Sequence, residues 1–331
     1  MADWYVYTGV PDAKSDIGRL PPPPPWRDFK GVVPDDTGEL PEIDPTHEHQ
    51  ARSYRPDPGA VEQVNAALYL RRPLLVTGRP GTGKSTLAHA VARELRLGPV
   101  LYWAITSRVT LADGLYSYDP LTRLYDRESG RAHADADDDE IGKYIRLGPL
   151  GTALLPACRP RVLLIDEIDK SDIDLPNDLL TIFEEGRYEI PELARQKRRT
   201  HRVSTADGRT ASVTDGVIGC RAFPLVIMTS NGEREFPAAF LRRCVRLALP
   251  EPDRDKLREI VRAQLGELSD ESEDLIQLFL SRKTEGQLAT DQLLHAIYLT
   301  HHAARDHGVD RLALAERLMP HLNSGVADDD D

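Results

Sequence analysis

Apolar residues follow two different patterns along the chain. Between residues 74 and 249 they come as short runs: Leu74-Leu75-Val76, Val100 to Ile105, Val162-Leu163-Leu164-Ile165, Leu225-Val226-Ile227-Met228 and, interrupted by Arg246, Val245 to Leu249. Runs of this length, bounded by polar residues, predict buried strands. Helical periodicity separates them. Val61 to Leu70, Ser85 to Ala92 and Leu175 to Glu185 each repeat apolar positions at three-to-four spacing, and Gly186 ends the last. Gly114 to Asp126 alternates about Pro120 and predicts a β-hairpin. From Asp253 to Leu322 the pattern is helical throughout, with Leu257/Ile260/Val261, Leu275/Leu278/Phe279, Leu293/Leu294/Ile297 and Leu312/Leu314/Leu318 recurring. Four helices in a small separate domain are expected.

Residues 1–57 differ again. Pro21 to Pro25 is a five-proline run before Trp26, and Pro34, Pro41, Pro45 and Pro56 follow. Prolines at that density predict an extended arm without regular helix, laid on the domain surface with Trp4, Tyr5, Trp26 and Phe29 as anchors. A polyproline ligand for a partner's aromatic groove is the alternative. The expected division is 1–57 arm, 58–250 α/β domain, 251–322 helical domain and 323–331 disordered tail, which ends in four aspartates.

Composition narrows the picture. A net charge of −12 over 331 residues disfavours nonspecific nucleic-acid binding by the whole surface, while leaving room for a local basic patch. Cys158, Cys220 and Cys244 are far apart in sequence, which fits a reducing compartment rather than a disulfide framework or zinc site. No leader pattern or long apolar window is seen, so a cytoplasmic location is expected. The acidic run Asp135 to Glu140 is read as a solvated loop.

Two stretches carry chemistry. Gly78-Arg79-Pro80-Gly81-Thr82-Gly83-Lys84-Ser85-Thr86 follows the first strand and opens a helix, in the phosphate-loop pattern G-x-x-x-x-G-K-[ST]. Its glycines let backbone N–H groups turn toward phosphate oxygens, Lys84 supplies charge to the β/γ-phosphates, and the Ser85 hydroxyl suits Mg²⁺. The following helix adds its positive dipole end. Val162 to Ile165 then runs into Asp166-Glu167. A buried strand ending in two carboxylates places Asp166 to hold Mg²⁺ through water and Glu167 to orient and deprotonate an attacking water. Asn231 ends a later strand, where it can meet the γ-phosphate or that water. The basic segment Arg195 to Arg199 has three readings: a nucleic-acid contact, a grip on an acidic partner, or a solvated tip.

In this order the motifs resemble AAA+ ATPases, and within them the MoxR branch, over residues 58–322. The markers are Gly78 to Ser85, Asp166-Glu167, Thr229-Ser230-Asn231 and Phe240-Leu241-Arg242-Arg243-Cys244. The segment from Leu115 to Tyr125 with Leu147 to Gly151 is similar to the MoxR insertion. The resemblance implies an α/β fold, an αβα sandwich on a five-stranded parallel sheet with an all-α lid. It implies ATP as substrate with Mg²⁺, and assembly into a homo-oligomeric ring, usually hexameric. It further implies an arginine reaching the neighbouring subunit's γ-phosphate: Arg243, with Arg242 as alternative. Von Willebrand factor A domain proteins are the partners it suggests. One departure stands out: Ala289-Thr290-Asp291-Gln292 lacks the second sensor arginine of many relatives, and Arg282 and Lys283 upstream are the candidates to replace it.

The function expected is a ring-forming, ATP-hydrolysing, chaperone-like motor that remodels a partner protein, with the five-proline arm and the hairpin as contact surfaces. The alternatives are a nucleic-acid-directed motor or loader using Arg195 to Arg199, and a scaffold that binds ATP with little turnover. A GTPase is disfavoured, since no N-K-x-D motif is present.

Overall fold

The apolar runs become strands of one sheet, the inner ones buried on both faces. The structure, a computed structural model, describes residues 3–10, 12–13, 15–34, 40–129, 141–269, 272–283, 288–307 and 310–321. The acidic run 135–140 and the tail 323–331 lie outside them.

Strands are numbered in chain order. Five of them, β1 (Leu74–Thr77), β2 (Leu101–Ala104), β5 (Val162–Asp166), β10 (Leu225–Ser230) and β11 (Val245–Ala248), form a wholly parallel sheet in the order β11-β1-β10-β5-β2. β5 and β10 lie inside the sheet and are buried along nearly their whole length. β2 departs from the expected buried strand. It sits at the sheet edge with only β5 beside it, so Leu101 and Trp103 face inward while Tyr102 and Ala104 face outward. Helices α1 (Pro45–Ser53), α2 (Pro58–Leu70) and α3 (Lys84–Glu94) accompany this sheet, and the core on that side joins α2, α3, β1 and β10 through residues such as Val64, Leu74, Leu87, Val91 and Ile227.

The expected hairpin at 114–126 is not formed. A short helix α4 (Leu111–Leu115) leads into β3 (Tyr116–Tyr118), followed by helix α5 (Pro120–Glu128). Pro120 opens that helix, and Asp119 accepts from Thr122 N at 2.9 Å and Thr122 Oγ1 at 2.6 Å. A first-turn proline and a capping aspartate are helix-start signals, and they outweigh a few residues of alternation. β3 pairs instead with β4 (Ile145–Leu147), some thirty residues on, in a second sheet. That sheet, in the order β3-β4-β7-β8-β9-β6, takes its other strands from β6 (Arg187–Glu189), β7 (Thr200–Ser204), β8 (Thr210–Thr214) and β9 (Val217–Gly219).

The proline-rich arm is not free of helix. α1 lies within it, with Pro45 at the first helical position, where the missing N–H costs nothing, and Asp44 capping Thr46 N at 2.8 Å. Of the expected aromatic anchors, Trp4 packs edge-on against Tyr69 at 5.3 Å and Tyr5 lies against the core, where Val6, Tyr7 and Ile17 of the arm are buried. Trp26 is 72% exposed, although Phe29 stacks on Phe223 at 5.5 Å. Polar clasps add to this packing. The Asn65 amide binds the backbone of Val6 and Tyr7, and the buried Glu94 carboxylate accepts from Thr8 N, Thr8 Oγ1, Gly9 N and Ser15 Oγ at 2.5–2.9 Å.

The C-terminal helices are Arg254–Leu265, Glu273–Lys283, Thr290–His307 and Arg311–Leu318. They share their own core, which includes Leu257, Val261, Leu275, Phe279, Leu293 and Ile297. In the last helix the buried position is Ala315, followed by the buried capping residue Met319, and Leu312 faces outward.

Candidate functional site: the phosphate loop and the carboxylates facing it

The loop after β1 and the ends of β5 and β10 meet at one edge of the central sheet, because parallel neighbours bring their C-terminal ends together. Gly81 and Gly83 take positive φ, 76° and 84°. A side chain at Gly81 would strike Thr290 N at 2.7 Å, and one at Gly83 would crowd the Tyr54 ring at 3.0 Å. Loop, arm and lid therefore close on one another here. Between them lies a cleft of about 490 Å³, lined by Tyr54, Arg55, Thr82, Thr86, Thr290 and Leu294 among others. The size suits a small-molecule ligand.

Lys84 begins α3 and is buried. Its ammonium donates to Gly78 O at 2.7 Å and Arg79 O at 2.9 Å. Burial pulls its pKa below the usual lysine value, against the opposing pull of Asp166, Asp169 and Glu167. Ser85 Oγ donates to Asp166 Oδ1 at 2.7 Å, so the residues expected to hold Mg²⁺ are already adjacent. Both present oxygen, the donor a hard cation prefers. Among the described residues no group of three or more His, Cys, Asp or Glu could hold a metal, so Mg²⁺ here would complete its shell with phosphate and water.

Glu167 adopts the left-handed conformation, φ 60° and ψ 47°, rare for a residue with a Cβ and a mild strain of the kind found at functional sites. Its N–H donates to Thr229 Oγ1 at 2.9 Å, and that hydroxyl donates to Asp166 Oδ1 at 2.6 Å. The Glu167 carboxylate accepts from Lys170 Nζ at 2.8 Å and lies 3.4 Å from Asn231 Nδ2. Asn231 is fixed in turn, its N–H donating to Asp169 Oδ2 at 2.9 Å with Glu233 N on the same oxygen at 3.1 Å. Asp169 Oδ1 is buried without a hydrogen-bond partner.

Lys84, Ser85, Asp166, Glu167 and Asn231 thus converge. Arg242 and Arg243 do not join them. They precede β11, whose first residue pairs with the first residue of β1, while the phosphate loop leaves the other end of β1. A strand of that length separates them by roughly 10 Å or more. Arg243 is ion-paired with Glu184 and donates to Ala239 O at 3.2 Å, whereas the exposed Arg242 side chain has no partner among the described residues. In the basic segment, Arg199 makes a double hydrogen bond to Asp215 at 2.7 and 2.6 Å.

Sequence reasoning missed several neighbours. Thr229 stands in the Thr229-Ser230-Asn231 marker, but its bridge between Glu167 and Asp166 does not show in sequence. Asp169, Lys170 and Tyr102, whose hydroxyl lies 3.3 Å from Asp166 Oδ2, carry no such mark. Glu251 was missed as well. It accepts from Arg79 Nε at 2.6 Å and Lys283 Nζ at 2.7 Å, and so ties the phosphate loop to a lid helix.

Residues 73–244 match the family model described as AAA domain (dynein-related subfamily). Among solved structures the chain is similar to two variants of RuvB from Thermotoga maritima. One is 14% identical over 78% of this chain and 65% of that chain, with a TM-score of 0.42. The other is 16% identical over 78% and 67%, with a TM-score of 0.44. The chain thus spans about two thirds of those RuvB chains. No curated protein matches it. Among the described residues no helix is long and apolar enough to cross a membrane. With the family model spanning more than half of its residues, the chain belongs to the AAA family of P-loop nucleotide-binding ATPase domains, in the dynein-related subfamily.

Proposed function

We propose that the protein is a Mg²⁺-dependent ATPase of the MoxR type that works as a ring and remodels a partner protein. The observation that carries the reading is the convergence of Lys84, Ser85, Asp166, Glu167 and Asn231 at one sheet edge, while Arg242 and Arg243 stand at the other. The loop from Gly78 to Thr86, with Arg79, Pro80, Gly81, Thr82 and Gly83 in its turn, wraps the phosphates, and Lys84 leaves its carbonyl partners for the β/γ-phosphates. Ser85 and Asp166 would hold Mg²⁺, which when bound would neutralise charge on the phosphates.

Glu167 takes a proton from water, water oxygen bonds to the γ-phosphorus, and the bond to the β,γ-bridging oxygen breaks to leave ADP and inorganic phosphate. Asn231 orients the carboxylate and the water. Asp169 keeps Asn231 in place, and Thr229 keeps Asp166 and Glu167 in register. The trigger arginine comes from a neighbouring copy, since these two stand at the far end of their own sheet. Arg243 is the first assignment and would exchange Glu184 for phosphate, while Arg242 would have no such pair to break. A head-to-tail contact of this kind generates a ring, and a hexamer is the form we expect.

For partner contact, α5 presents Leu121, Leu124 and Tyr125 to solvent, and the arm presents Trp26. These are the surfaces we assign to a protein partner such as a von Willebrand factor A domain.

The test is ATP hydrolysis per subunit against protein concentration. Specific activity should climb with concentration and fall about 10²–10⁴-fold in Glu167→Gln. Activity that is substantial and independent of concentration would overturn the shared-site reading.

A further inference from the structure

The opposite end of the central sheet carries a second cavity, of about 390 Å³. Four separate segments build it: the arm from Ile17 to Asp28, the end of α2, residues 158–160 before β5, and residues 221–225 leading into β10. Four arginines line it, Arg27, Arg71, Arg159 and Arg221, together with apolar groups such as Leu20 and Phe223.

Three of the guanidiniums are positioned by backbone carbonyls rather than by ion pairs. Arg27 is only 7% exposed, donates through Nη1 to Phe183 O, and lies 5.5 Å from the centre of the Phe223 ring. Arg71 donates to Leu68 O and, across to the arm, to Pro21 O at 2.9 Å. Arg221 donates to Phe29 O at 3.4 Å. Arg159 is exposed, with no side-chain partner among the described residues. Each fixed partner is a neutral carbonyl, and none of the four is ion-paired among the described residues. The one carboxylate on the wall, Asp28, is paired with Lys30. In a chain of net charge −12, four arginines around one cavity, none in an ion pair among the described residues and only Arg27 and Arg221 influenced by a carboxylate, Glu184 and Asp28 respectively, form an exception that needs a reason. Arginine stays charged at any working pH, and its planar fork matches carboxylate and phosphate oxygens.

We propose that this cavity is a binding site, separate from the phosphate loop, for a small multivalent anion carrying carboxylate or phosphate groups. The arginines supply the charge, and the Leu20 and Phe223 side accepts the ligand's apolar body.

Cys158 lies on the cavity wall and provides the readout. It is exposed, while Cys220 and Cys244 are buried and their thiols are pushed up to about 12 by that burial. N-ethylmaleimide, an uncharged reagent, should therefore modify Cys158 in the intact chain. The probes are citrate and inorganic pyrophosphate, with sodium chloride at matched ionic strength as control. At about ten times the Kd, occupancy should slow labelling about tenfold. Protection by citrate alone identifies a carboxylate ligand, and protection by pyrophosphate alone a phosphate ligand.

Arg159→Glu, which breaks no side-chain hydrogen bond or ion pair among the described residues, should weaken the protecting anion at least about tenfold, as should Arg71→Gln with Arg159→Gln. Several results would overturn the proposal: unchanged labelling, equal slowing by sodium chloride, or undiminished protection in Arg159→Glu. So would protection by an aspartate-rich peptide where both small anions fail, which would make the cavity a protein-docking surface. The phosphate loop is remote from Cys158, so pyrophosphate held only there leaves labelling unchanged and counts against the proposal.

Discussion

The two ends of the central sheet hold charge in opposite ways. At the C-terminal end, Asp166, Glu167 and Asp169 sit around Lys84 and Lys170, so cations and carboxylates balance one another. At the N-terminal end, Arg27, Arg71 and Arg221 are held by backbone carbonyls, with no ion pair to any of them among the described residues. A site that must exchange partners during turnover gains from internal pairs that can be traded. A fixed, unpaired cation is poised for a ligand that arrives from outside.

The largest effect that could break this contrast concerns the arginines before β11. Arg243→Ala should leave nucleotide binding intact and lower turnover by up to about 10³-fold. Wild-type turnover there, with the loss in Arg242→Ala instead, would move the role by one residue. Steady-state hydrolysis with a parallel binding titration decides it.

Lys84→Ala tests the balanced end. It removes the one buried cation of the phosphate loop, and ATP affinity measured with a fluorescent analogue should fall by roughly 10- to 100-fold or more. Unchanged affinity would defeat the phosphate-loop reading.

Glu251→Gln asks whether the loop and the lid are coupled through the Arg79–Glu251–Lys283 chain. These pairs are partly exposed, so the expected change is small: ADP should leave up to about fivefold faster in stopped flow. Lys283→Met should reproduce it.

The smallest effect is a pH limb. His89, on α3, stacks on His47 at 4.4 Å, and burial, aided by the His47 charge, pulls its pKa from 6.5 down to about 4. The folded state thus resists a proton that the unfolded chain accepts. This contribution is complete above pH 6.5 and is lost as pH falls toward 4. Thermal melts of His89→Gln should show a flatter acid limb than wild type.

The balanced end was legible in sequence because its chemistry is contiguous. Gly78 to Thr86 and Asp166-Glu167 are each read within one window, and the apolar run before each marks the strand that carries it to the sheet edge. Tertiary partners could not be read there: Thr229 on Asp166, Asp169 on Asn231 and Glu251 on Arg79 all span tens of residues or more. The arginine cavity was harder still, because its four segments share no motif and meet only once the arm is laid down. At Tyr116–Tyr118 the alternation identified a strand, yet period two says nothing about which strand will be its neighbour.

The clasp on Glu94 ties the arm to the far end of the helix that begins at the phosphate loop. Thr8, Gly9 and Ser15 grip the last residue of α3, whose first residue is Lys84. Those eleven residues make a rod of about 16 Å, stiff on the scale of a side-chain motion. A load applied to the arm would travel along that rod and arrive beside the phosphates as a displacement. Tension on the outer surface and occupancy of the cleft would then be two readings of one lever.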